Sequence, residues 1–126
     1  MPNINAALGC AQLNKIYKFI TAKRKLFKKY KKVFKKINEI KILEEPSNCR
    51  SNYWLQTIII KKSNLIKRNS ILKFTNKAGF KTRPIWTLLN KNLQFVNCPK
   101  MDLSKAKELE TKIINLPSSS QLCMKI

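Results

Sequence analysis

Apolar residues recur at mostly three- and four-residue steps through the first third of the chain: Ile4, Ala7, Leu8, Ala11, Ile16, Phe19, Leu26, Tyr30, Val33 and Ile37. That period predicts a helix from about Asn3 to Ile37, with Lys15, Lys18, Lys25, Lys29, Lys32 and Lys36 over much of its other face. A helix of this length spans about 50 Å, more than a small domain needs. Either it breaks near Thr21-Ala22 or it reaches out to another domain. Glu44-Glu45-Pro46-Ser47-Asn48 then reads as a loop. Tyr53 to Ile60, dominated by aromatic and β-branched residues, predicts a buried strand. Ser63 can cap a second helix from Asn64 to about Ala78, which Gly79 ends. Phe80 to Thr87 predicts a second strand, and Pro84, lacking an N–H, favours an edge or a bulge there. After an irregular stretch, Asp102 or Ser104 opens a short helix with Leu103, Ala106, Leu109 and Ile113 on one side, and Ile113 to Leu116 adds a last short strand. The expected fold is α+β: a long N-terminal helix, then a small sheet with helices on one face.

Composition narrows this reading without giving it a function. At 126 residues with 44% apolar content the chain suits one domain with its own core. No apolar run approaches the roughly 18 residues of a membrane span, and Met1 to Ala6 carries no basic, apolar leader, so a cytoplasmic protein is expected. The net charge of +21 would ordinarily point to nucleic acid or an anionic membrane. The excess is mostly Lys, however, with Arg only at 24, 50, 68 and 83, and Lys, Asn and Ile are abundant together as in an AT-rich genome. Base-reading proteins favour Arg forks and exposed aromatics, so a basic nucleic-acid-binding protein is kept only as the alternative. The run from Lys23 to Lys36 reads as a solvated face or as a phosphate-binding stripe.

Catalytic machinery is hard to find. His is absent, and Gly occurs only at 9 and 79, which excludes a Gly-rich phosphate loop. Cys10, Cys49, Cys98 and Cys123 lie far apart, without the close spacing of a metal site. The six acids, Glu39, Glu44, Glu45, Asp102, Glu108 and Glu110, fall mostly in a loop and a charged helix rather than in a buried acid–base pair. Neither catalytic residues nor metal ligands are assigned to this chain.

Several stretches, taken in order, carry a resemblance. Met1-Pro2-Asn3-Ile4-Asn5-Ala6-Ala7-Leu8-Gly9-Cys10-Ala11-Gln12-Leu13 resembles the start of a helix in the DegT–DnrJ–StrS family of sugar-nucleotide aminotransferases, and Arg24 and Tyr30 follow at the family's "R…Y" positions. Ser51 to Thr57 resembles the central strand of that family's small domain. Lys77-Ala78-Gly79-Phe80-Lys81-Thr82-Arg83-Pro84-Ile85-Trp86-Thr87-Leu88 resembles the helix end and strand at the substrate mouth. Asn97-Cys98-Pro99, Met101 to Ser104, and Ile114-Asn115-Leu116-Pro117-Ser118-Ser119 resemble the closing segments. The wording Thr82-Arg83-Pro84-Ile85-Trp86 is similar to the branch that aminates 4-keto sugar nucleotides for legionaminic- or perosamine-type glycans.

The resemblance implies a C-terminal small domain over residues 1–126. In the family the Lys that holds pyridoxal phosphate, the Asp beside its pyridine nitrogen and most phosphate contacts belong to a large domain that precedes this region. The chain is therefore expected to bind no pyridoxal phosphate and to be inactive alone, as a split, frameshifted or remnant product of a longer gene. It is expected either to complement a separate N-terminal aminotransferase piece or to be a non-functional remnant of such a gene. The family's partners are a nucleotide sugar, an amino-acid donor and a second subunit of a homodimer. The resemblance places Arg83, Trp86 and Thr87, with Asn52 and Tyr53, near the substrate. Arg83 could pair with a nucleotide phosphate or be a surface strand residue; Trp86 could pack on the sugar or base, or be core. One departure is that Asn90 and its neighbours lack the His that many relatives carry after this strand. Because the helix start lies beneath the large domain in the family, residues 3–13 are expected to be poorly buried, and Tyr53 to Ile60 well buried.

Overall fold

The apolar period of the first third resolves into two helices, α1 (Asn3–Leu13) and α2 (Ile16–Phe34), in a computed structural model that describes residues 1–123. The break falls at Asn14-Lys15, not at Thr21-Ala22, and Lys15 N–H tightens there onto Gln12 C=O at 3.0 Å. Its cause is legible: the step from Ala11 to Ile16 is one residue too long for a single stripe, and Asn14 favours a local turn. No residue of α1 is buried, as the resemblance implied. The chain continues through β1 (Ile40–Ile42), β2 (Gln56–Ile60), α3 (Leu65–Lys77), β3 (Arg83–Pro84), α4 (Ser104–Glu110) and β4 (Ile113–Leu116).

The four strands form one antiparallel sheet in the order β1-β2-β4-β3. Register fixes its faces, since paired residues share a side. Ile42, Ile58 and Ile114 align across three strands, as do Ile40 with Ile60 and Gln56 with Leu116. That side meets Phe27, Tyr30 and Phe34 of α2 and Ile71 and Leu72 of α3, giving one core with helices on one face. Ile114 is fully buried at its centre. The α+β expectation holds.

The details depart from pattern reading in four places. β1 lies in a stretch with no predicted strand; three residues are too few to show a period. β2 is five residues and alternates buried with half-buried positions, because only one of its faces meets the helices. Asn64, not Ser63, caps α3: its side chain accepts the Lys67 N–H at 2.9 Å. The strand expected from Phe80 to Thr87 shrinks to Arg83–Pro84 at the sheet edge, where the missing N–H of Pro84 costs nothing. Gly79 ends α3 with φ +86°. Phe80 N–H reaches Thr75 C=O at 2.9 Å and Gly79 N–H reaches Asn76 C=O at 3.0 Å, the paired bonds of a left-handed helix stop.

Candidate substrate-binding face

The helix stop at Gly79 aims the chain into the segment that carries Arg83. Thr82, buried just before it, is held by α3: its hydroxyl lies 2.6 Å from that of Thr75, and Asn76 Nδ2 donates to its carbonyl at 3.0 Å. Arg83 then pairs with Asn115 and Pro84 with Ile114. Asn115 is itself fixed, its Oδ1 accepting from the Thr57 hydroxyl at 2.8 Å. Three elements thus set the backbone of Arg83 while its side chain stays exposed.

Arg83, Trp86 and Thr87 line one open concavity of about 900 Å³, walled also by Phe80, Ile85 and the closing Pro117-Ser118-Ser119 segment. Asn52 and Tyr53 do not line it. Tyr53 is 6% exposed and stacks on Phe27 with ring centroids 4.1 Å apart, so it belongs to the core. Asn52 accepts the Trp54 N–H at 2.9 Å in a local turn.

The two ends of this region are tied together by α2. Lys23 Nζ donates to Ser118 C=O at 2.6 Å and to Trp54 C=O at 3.2 Å, while Tyr30 Oη donates to Pro117 C=O at 3.0 Å. Burial lowers the pKa of Lys23 and raises that of Tyr30. Gln56 N–H donates to Ser118 Oγ at 2.8 Å, and Gln56 Nε2 donates to Lys23 C=O at 3.1 Å. Arg24 clamps the neighbouring loop, donating to both oxygens of Glu45 at 3.0 and 2.5 Å and to Ser51 C=O at 2.7 Å. The Arg24 hydrogen bond, with help from Ser51 N–H, holds the Glu45 carboxyl down at about 2. Arg24 and Tyr30 are therefore latches, one on the loop before β2 and one on the segment after β4. Neither Lys23 nor Ser118 stood out in sequence: one is a lysine among many, the other a serine among three consecutive ones.

The sequence model of the DegT/DnrJ/EryC1/StrS aminotransferase family matches residues 1–125. The chain belongs to this family. Among its relatives, GDP-perosamine synthase of Vibrio cholerae is 26% identical over 124 residues, 98% of this chain and 34% of that protein. Among solved structures, the PMP form of Spr1654 from Streptococcus pneumoniae superposes with a TM-score of 0.86 at 22% identity, covering 96% of this chain and 31% of that one. PseC of Helicobacter pylori, an aminotransferase involved in pseudoaminic acid biosynthesis, gives 0.82 at 20% identity over 94% and 32%. The chain thus spans about a third of the length of each aminotransferase it matches.

One of the solved relatives is in a PLP form. The lining of the concavity offers the cations Lys81 and Arg83 but no Asp or Glu to pair with a pyridine nitrogen. The half-buried Lys23 ammonium is engaged by two carbonyls. Among the described residues no cluster of His, Cys, Asp or Glu could hold a metal, and no helix is long and apolar enough to cross a membrane. The lining of the concavity is a surface of cations, aromatics and backbone groups, suited to holding an anionic ligand.

Proposed function

We propose that this chain is the small-domain part of a pyridoxal-phosphate-dependent enzyme that aminates a 4-keto sugar nucleotide for surface polysaccharide synthesis. It supplies half of a site, and the chemistry comes from a cofactor-binding domain docked against α1 and the open concavity. The observation that carries this reading is the concavity itself: Arg83, Trp86 and Thr87 line one surface that holds no Asp, Glu or His. Arg83 is suited to a nucleotide phosphate and Trp86 to the face of a sugar or base. The similarity to GDP-perosamine synthase supports the perosamine-type branch. A homodimer with an amino-acid donor is the working state implied for the complete enzyme.

The test is borohydride trapping of the chain with pyridoxal phosphate, followed by peptide mapping. Many exposed lysines should each react weakly, with no single stoichiometric site. One fully modified lysine, together with transamination of a 4-keto sugar nucleotide by this chain alone, would contradict the proposal.

A further inference from the structure

Tyr53 has a φ of +48°, the one non-glycine residue in the left-handed region among those described. For a bulky aromatic residue this conformation is unfavourable, so something must hold it. Phe27 stacks on its ring, the Arg24 guanidinium lies 5.4 Å from the ring centroid, and its N–H donates to Ser51 Oγ at 2.9 Å. The turn sends Tyr53 into the core and the next side chain, Trp54, outward.

Trp54 is 66% exposed, yet it is not loose. Its ring centroid lies 6.0 Å from that of Trp86, with 33° between the planes. Its N–H is bonded to Asn52 and its carbonyl to Lys23. Trp86 lines the concavity, and Trp54 packs against Trp86 without lining it. A 6.0 Å tilted pair leaves no room for a third ring between the two, so a flat ligand must use the open face of Trp86. Arg83 lines the same concavity. Of the four arginine side chains, those of Arg24 and Arg68 are engaged with protein acceptors, while those of Arg50 and Arg83 make no hydrogen bond or ion pair among the described residues, and of these two Arg83 lines the concavity.

We propose that Trp54 is a positioning residue: pressed against Trp86 by the strained turn at Tyr53, it fixes a tryptophan wall on which the base of a nucleoside diphosphate stacks, the diphosphate meeting Arg83. This rests on the reading of the concavity as a sugar-nucleotide site. It adds a wall residue that does not itself line the cavity, and it assigns the aromatic contact to the base rather than to the sugar.

The chain contains two tryptophans, and both are in this pair, so intrinsic fluorescence reports on it directly. Titration of the full chain with GDP is expected to quench the emission saturably. Inorganic pyrophosphate should bind through the cations with little quenching. Trp86→Ala should abolish the base contribution, bringing GDP affinity down to that of pyrophosphate. Trp54→Ala should weaken GDP about three- to tenfold, the range of one aromatic pair, and leave pyrophosphate unchanged; Trp54→Phe should restore most of the loss. Unchanged pyrophosphate binding shows that the variants remain folded. An unaltered GDP affinity in Trp54→Ala, or equal losses for GDP and pyrophosphate, overturns the positioning role. Absence of quenching in the wild type overturns the wall. Amination by the chain together with a cofactor-binding domain is a separate readout: if it persists without quenching, only the wall is lost, and if quenching persists without amination, only the aminotransferase reading is.

Discussion

Glu45 shows how much of this molecule's local order rests on single polar side chains. Its two oxygens take both Arg24 bonds and the Ser51 N–H, and this keeps its carboxyl at about 2, below the usual 4.5. A carboxyl depressed in the folded state contributes stability that is fully present above its unfolded value. That contribution is lost as pH falls from about 4.5 through about 2. Glu45→Gln should therefore lower the urea midpoint at pH 7, and the gap to the wild type should narrow as pH falls toward 3. A constant gap across that range would show that the pair contributes through packing alone. Gly79 is the counterpart on the backbone. Nothing lies within 4 Å of where a Cβ would sit, so Gly79→Ala meets no clash and its cost is conformational. With φ at +86°, that substitution should cost about 1–2 kcal/mol in chemical denaturation. The glycine stop was legible in sequence because only this residue type takes that conformation freely. The Arg24–Glu45 clamp was not, since its partners are 21 residues apart and share no periodic signal.

The elements divide into those the core needs and one it does not. β2 and β4 run side by side through the centre of the sheet, so Ile60→Ala and Ile114→Ala should each cost about 2–5 kcal/mol. α1 buries nothing, so Ile4→Ala and Leu8→Ala should stay within about 0.5 kcal/mol of wild type by the same urea titration. A large loss from either would mean that α1 packs on its own chain in solution. Long periodic elements such as α2 and α3 could be read from sequence because many residues repeat one signal. The break at Asn14 registered only as a phase slip, and β1, with three residues, gave no signal at all. Of the residues taken from family motifs, Arg83, Trp86 and Thr87 line one concavity, whereas Asn52 and Tyr53, taken from a different motif, do not line it. A left-handed turn at a tyrosine rotates alternate side chains to opposite sides, and no residue type at that position advertises it.

Taken together, the chain exposes 10284 Å², against about 6,900 Å² expected of a compact monomer of its mass. Much of the surplus comes from α1 and from apolar side chains such as Leu93 and Met101 that stand in solvent. Surface of this kind is normally covered. The charge of +21 opposes self-association through repulsion, which salt screens. The isolated chain should accordingly bind a hydrophobic dye and should oligomerise more as salt rises, a trend that light scattering can follow. A monomer unchanged between low and high salt would remove the exposed surface as evidence for a missing neighbour. On the proposal above, this chain supplies one half of a site whose chemistry lies in a cofactor-binding domain. Its most direct test is amination of a 4-keto sugar nucleotide with an amino-acid donor, assayed for the chain alone, for a separately produced pyridoxal-phosphate-binding domain of the family alone, and for the two mixed. Amino-sugar product is expected only in the mixture, and much less of it when Arg83→Gln replaces the wild-type chain. Product from this chain alone, or a cofactor-binding domain whose turnover is indifferent to its addition, would contradict it.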